Sequence, residues 1–166
     1  MIIFDASTLI LLAKIELLQP LSKEIDIVIP ELIEEEATAK KDSFDAKVIR
    51  TLIKKGRIQV RDVEEIPIVE ELMKDFNMDE GESSVVVLFK ELDADLVATD
   101  DGQLIKAAKI MEIPFVTSIT FLIRAAQKGI IDEEIALEKL RRLAEFGWYK
   151  TKIIEDAVTR IKGGKK

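Results

Sequence analysis

The sequence predicts an α/β fold of three layers, a central parallel sheet covered by helices on both faces, followed by a helical C-terminal extension. Three observations predict it. Two short aliphatic runs, at residues 1–5 and 95–99, each stop at a carboxylate and pass at once into a helical pattern; strands buried on both faces read as unbroken apolar runs. Strand-like and helix-like stretches alternate up to Thr117, which implies right-handed crossovers and parallel strands. Beyond Thr117 the pattern is helical only. The 166 residues and 48% hydrophobic content suit one domain with a packed core.

Each element has its own signal. Residues 1–5 form the first strand. Ala6 to Lys14 follow as a helix with Ser7 or Thr8 near its start, and Pro20 interrupts a helical pattern that runs to about Lys23. Ile25 to Pro30 read as a second strand ended by the proline. A helix then covers Glu31 to Thr38, and another covers about 44–55, capped by Asp42 or Ser43 and closed by Gly56. Arg57 to Arg61 alternate polar and apolar, as a half-exposed edge strand does. Helices follow at about 68–76, after Pro67, and at about 81–92. The strand at 95–99, a helix at about 102–111 and a short strand Phe115-Val116 complete the sheet. Three helices remain, at about 118–127, 132–145 (capped by Asp132) and 151–162. The core is expected over 1–120 and the extension over 121–162, packed on the core or on a second subunit, with 163–166 as a disordered tail.

Composition narrows the chemistry. There is no cysteine and no histidine, so thiolate zinc sites, cysteine nucleophiles and the commonest general base are excluded. Acid–base or metal chemistry must fall to carboxylates, lysines or hydroxyls. The net charge of −7 argues against a passive nucleic-acid coat, which would be basic, but not against acids neutralised by a cation. No apolar run is long enough for a membrane span, and the opening lacks a cationic signal region, so a cytoplasmic protein is expected. Abundant Glu and Lys with a single asparagine, Asn77, hint at a thermophile.

The acids at the strand ends stand out. In open parallel sheets, ligands bind outside the carboxyl ends of the strands where the strand order reverses. If that reversal falls between the first strand and the 95–99 strand, Asp5 faces Asp100 and Asp101. Each also has a plain structural reading as a helix N-cap, and Glu82 reads alone as an acid favoured in a helix's first turn. Glu34-Glu35-Glu36 is a charge run, in which Glu36, between Ile33 and Ala37, is the least at ease on a solvated face. Two carboxylates about 4 Å apart repel by about 4 kcal/mol at an effective dielectric of 20, so a bunch of them calls for a cation. Oxygen-only ligands select Mg²⁺ or Mn²⁺. A dehalogenase-type phosphatase would need an acid at position 7, where Ser7 stands, and no Gly-rich phosphate loop or serine–histidine triad is present.

These residues resemble a family. Ile3-Phe4-Asp5-Ala6-Ser7-Thr8 is similar to the opening of PIN-domain ribonucleases, Ile29-Pro30 followed by Glu36 to the segment carrying their second acid, Gly81-Glu82 to their "GE" helix start, and Thr99-Asp100-Asp101 to their Thr-x-Asp strand end. The order is kept over about residues 1–120. Gly147-Trp148-Tyr149 resembles a step in the helical extension of the VapC-like toxin branch. The resemblance implies a metal-dependent endoribonuclease using Mg²⁺ or Mn²⁺, with Asp5, Glu36, Glu82 and Asp101 as catalytic metal-binding acids. Asp100 is a further candidate ligand, and Glu35 the alternative to Glu36. Ser7 and Thr99 would support the site, and Asp79 is a possible accessory acid. RNA is the implied substrate, with Lys47, Arg50, Lys54 and Lys106 as its path if they are more than solvated lysines and arginine. An antitoxin partner and a homodimer are expected; the alternative is a catalytically weak PIN-like module that binds RNA or protein. The stripe Leu122, Ile123, Ala126, Leu137, Leu140 and Leu143 is core by default, or else a dimer or antitoxin face. Trp148 and Tyr149 read as packing residues, with base stacking as the lesser reading.

Overall fold

A computed structural model describes residues 1–163. Five strands, β1 (Ile2–Phe4), β2 (Ile27–Pro30), β3 (Ile58–Arg61), β4 (Leu96–Ala98) and β5 (Phe115–Val116), form one parallel sheet in the order β3-β2-β1-β4-β5. The chain winds outward from β1 to β3, then returns to the other side of β1. The reversal therefore lies between β1 and β4, where Phe4 pairs with Ala98. β2 is buried at all four positions and the edge strand β3 alternates, as their sequences require.

The described residues hold ten helices: α1 (Ala6–Lys14), α2 (Leu18–Leu21), α3 (Glu31–Thr38), α4 (Phe44–Lys54), α5 (Ile66–Phe76), α6 (Glu80–Glu91), α7 (Gly102–Ile110), α8 (Ser118–Gln127), α9 (Glu133–Phe146) and α10 (Thr151–Gly163). Right-handed crossovers put α1 and α4 on one face. The return from β3 to β4 puts α6 on the other, across β1, β2 and β4. The helix expected to start after Pro67 starts before it, at Ile66; Pro67 sits in the first turn, where its missing N–H breaks no bond. Asn77 ends α5 in the left-handed region at φ 51°, a conformation asparagine tolerates better than most residues.

The C-terminal helices pack on the core. Phe121 of α8 stacks on Phe4 at 5.3 Å between ring centroids. Two cations of α9 bond the orphan carbonyls that end α1: Lys139 donates to Ile15 O at 2.7 Å and Arg142 to Lys14 O at 2.6 Å. Leu122, Leu140 and Leu143 are fully buried within the single chain, and Ala126 and Leu137 partly so. Met78 is buried, Met73 and Phe76 partly so. Trp148, read as a packing residue, is instead fully exposed. Gly163 closes α10, and the rest of the expected tail lies outside the described residues. Among the described residues no helix is long and apolar enough to cross a membrane.

Candidate active site

The switch point carries the acids. Asp5 N–H donates to Ala98 O at 2.9 Å, so the ends of β1 and β4 release Asp5 and the Thr99–Asp101 turn side by side. α3, which leaves β2, brings Glu36. Sequence spacing alone does not place Glu82 there; packing of α6 across β1, β2 and β4 does. Gly81 makes the approach possible. A Cβ on it would lie 3.3 Å from Ile33 Cδ1 and 3.4 Å from both Glu36 Oε2 and Asp79 Oδ1, so the glycine lets α3 and its glutamate pass in close contact with the start of α6.

Two hydroxyls tie the strand ends together. Ser7 Oγ donates to Asp5 Oδ2 at 2.6 Å and accepts from Asp100 N at 3.1 Å. Thr99 Oγ1 donates to the same Asp5 oxygen at 3.0 Å and accepts from Asp101 N at 3.0 Å. Asp5 holds the N-cap position of α1, yet its carboxylate makes no cap bond. Asp101 does cap α7, through Oδ1 to Gln103 N and Leu104 N. Asp79 and Glu82 form a reciprocal capping box on α6: Glu82 N donates to Asp79 Oδ1 at 2.8 Å, and Asp79 N to Glu82 Oε2 at 2.9 Å. Cap and site readings thus hold together for both residues, because a carboxylate has two oxygens.

The acids raise one another's proton affinity. Burial raises the pKa of Asp5, against the pull of Ser7 and Thr99, and the charge of Asp101 adds to it. Glu36 stands on the rim; loss of water on its inner side raises it, then the charges of Asp5, Asp79 and Asp101. Glu82 is pushed up to about 7 by burial first, with the charges of Asp101 and Asp79 and a hydrogen bond to Asp101 adding to the rise. As the side chains stand, no three acids among the described residues lie close enough to grip one ion. Among the described residues, the Glu36 carboxylate takes none of the side-chain hydrogen bonds found there. The donor set is all carboxylate, partly stripped of water and mutually repelling. Such a set fits a hard divalent cation.

Other expected site residues go elsewhere. Asp100 turns to the opposite side of the β4 end and is saturated: Thr8 Oγ1 donates to it at 2.7 Å, Ser118 Oγ at 2.5 Å, Ser118 N at 3.0 Å and Tyr149 Oη at 2.9 Å. Those bonds leave it no oxygen to offer a metal. Glu35 is exposed and its charge is felt by Glu31, not by the cluster. Arg50 is a structural clamp, donating to Thr38 O and Lys41 O. Lys54 ends α4, which runs antiparallel to the strands, so it lies at the end of the sheet away from the acids. Lys47 lines a separate groove with Phe44 and Lys55. Lys106 is exposed on α7, downstream of Asp101. Sequence reasoning missed Thr8, Ser118 and Tyr149 as partners of Asp100. The signal was Thr8, the one polar residue on the otherwise apolar buried face of α1.

A family model described as a PIN domain matches residues 1–162, which takes in the sheet, the acids and the C-terminal helices. No curated protein and no solved structure matches the chain. PIN domains are generally nucleases and typically use divalent metals. The match runs through nearly the whole chain, and the protein belongs to the PIN-domain family.

Proposed function

We propose that the protein is a metal-dependent endoribonuclease that hydrolyses RNA phosphodiester bonds. The observation that carries this reading is the convergence of Asp5, Glu36, Glu82 and Asp101, from four separate elements, at the β1–β4 switch point, where burial and the charge of Asp101 raise the proton affinity of the other three. These four residues would hold Mg²⁺ or Mn²⁺, which when bound acidifies water and offsets charge on the attacked phosphate. The chain's own part is positioning. Ser7 and Thr99 fix one oxygen of Asp5 and leave the other toward the cluster. The N-termini of α6 and α7 point at the acids, and their partial positive charge steadies carboxylates that would otherwise repel.

The test is cleavage of a single-stranded RNA in Mn²⁺, in Mg²⁺ and in EDTA by the wild type, Asp5→Asn and Asp101→Asn. Cleavage with either cation, none in EDTA and none by the variants is the expected result. RNA bound but never cut by the wild type would leave a binding module instead. The toxin role and its antitoxin partner are supported by the resemblance of Gly147-Trp148-Tyr149 to a step in the helical extension of the VapC-like branch. Growth arrest on expressing the wild type, relieved by Asp5→Asn, tests it. A homodimer would have to use residues other than Leu122, Leu140 and Leu143, which are spent inside the chain; sedimentation velocity decides it.

A further inference from the structure

We infer that the turn joining α9 to α10 is a nucleobase subsite, in which an unpaired base of single-stranded RNA stacks on the Trp148 indole while Lys150 and Lys152 meet the flanking phosphates. This rests on the nuclease reading and narrows its substrate to strands with unpaired bases.

Trp148 is the only tryptophan, and it is 103% exposed, as open as in an unfolded chain. An indole is among the side chains that gain most from burial, so full exposure at a defined place calls for an occupant. The exposure is built into the turn. Tyr149 folds the other way and donates its hydroxyl to Asp100 Oδ1 at 2.9 Å. Its ring crosses Gly147 so closely that a Cβ there would overlap it. A glycine, an anchored tyrosine and the β4 end thus hold the indole outward, on a turn tied to the residue next to Asp101. Between Asp100 and Trp148 runs a groove of about 380 Å³, lined also by Thr117, Thr120 and the Asp156–Arg160 pair, a size within the usual 300–1,000 Å³ of small-ligand sites.

Charge points to a polyanion. The stretch from Phe146 to Ile154 holds Lys150 and Lys152 and no acid, in a chain of net charge −7. Both lysines are exposed. Arg160 is already paired with Asp156 at 2.8 Å, so the lysines are the charges on offer. An open aromatic face beside free cations is how proteins hold single strands without reading their sequence, and each stacked base adds about 1–3 kcal/mol.

A single tryptophan makes the test direct, since intrinsic fluorescence reads this position alone. Titrating the wild type in EDTA with short single-stranded oligoadenylate RNA is expected to quench the emission saturably, and an RNA duplex of the same length is expected to quench it less. Trp148→Ala is expected to weaken binding about 10-fold or more and to raise KM for cleavage with kcat little changed. Trp148→Phe restores most of that loss. Ile110→Ala, at another exposed apolar residue, changes neither. If the protein cuts RNA but its emission does not move and Trp148→Ala leaves KM alone, the subsite is wrong and the nuclease reading stands. Quenching without cleavage in Mn²⁺ supports the subsite and removes the nuclease reading. Emission that changes with protein concentration alone, in step with dimer formation in the ultracentrifuge, means a second copy covers the indole and overturns the inference.

Discussion

Asp100 and Asp101 are neighbours in the chain and opposites in the molecule. Asp100 faces the β5–α8 side, where two hydroxyls, a backbone N–H and a phenol saturate it and knit α1, α8 and the α9–α10 turn to the end of β4. Asp101 faces the acids, where one oxygen caps α7 and its charge raises the proton affinity of Asp5, Glu36 and Glu82. The same residue type on the same turn is therefore saturated with donors on one side and set among repelling carboxylates on the other. The difference teaches how to recognise a site here. Charge that every neighbour neutralises holds a fold together; charge that its neighbours repel is kept at the expense of stability, and such a cost marks a working group.

That contrast predicts opposite responses to substitution, and the largest is at the acids. Asp5→Asn and Asp101→Asn should each lower Mn²⁺-dependent RNA cleavage on the order of 100-fold or more, above the 10–100-fold typical of groups that only support metal ligands. Both should stay folded. Asparagine still accepts the Ser7 and Thr99 hydroxyls at position 5, and it caps helices about as well as aspartate at position 101. Because burial and the Asp101 charge disfavour the ionised form of Asp5, Asp5→Asn should also melt higher, by about 2–4 °C for each kcal/mol relieved in a domain of this size. Calorimetry checks the sign; a lower melting temperature would mean that the site is not strained.

Asp100→Ala should do the reverse. It orphans the buried Thr8 hydroxyl and the N–H and hydroxyl of Ser118. Unsatisfied buried donors cost about 1–3 kcal/mol each, and with partial relaxation about 3 kcal/mol is expected in urea unfolding, or about 6–12 °C. An equal effect at Asp100 and Asp5 would erase the distinction drawn here. Tyr149→Phe removes one donor from the same knot and should be milder, about 1.5 kcal/mol, as for a hydrogen bond to a charged group. Burial and the Asp100 charge hold the Tyr149 phenol protonated far above its ordinary range, so that loss should be the same from pH 6 to pH 9.

The contrast also shows where sequence stops being legible. The switch point could be read because an aliphatic run ending in an acid is local, and the two such runs, ending at Asp5 and at Thr99, turned out to be neighbouring strands. Helix limits were legible for the same reason: Ser43 and Asp132 cap where expected, and Gly56 and Gly129 adopt positive φ just past their helices. The fate of Asp100 was not legible, because it depends on partners 18 to 92 positions away. Glu36, not Glu35, is the one that comes against Gly81, a contact for which the sequence carries no signal. Arg50 read as a substrate contact because its carbonyl partners carry no sequence signal at all.

The smallest effect, and the one that most sharpens the comparison, is in pH. The Glu82 carboxyl lies at about 7 in the folded protein against an ordinary 4.5. Between those values the folded state holds a proton that the unfolded chain has released, so its stability is greatest at the acid end of that window. Stability should fall as pH rises toward 7 and level off above it. Asp5 and Glu36 shift in the same direction and add to the slope. That is the reverse of ordinary acid denaturation, in which paired carboxylates lose stability on protonation. Glu82→Gln should flatten melting temperature against pH between about 5 and 7. Mn²⁺ added at pH 6 in weak buffer should expel protons from the wild type, and fewer from Glu82→Gln, because a cation competes with protons for the same oxygens. If the wild type melts higher at pH 7 than at pH 5 without metal, or if the variant keeps the full slope, the repulsion among these acids is not what sets this side of the β4 end apart from the knot around Asp100.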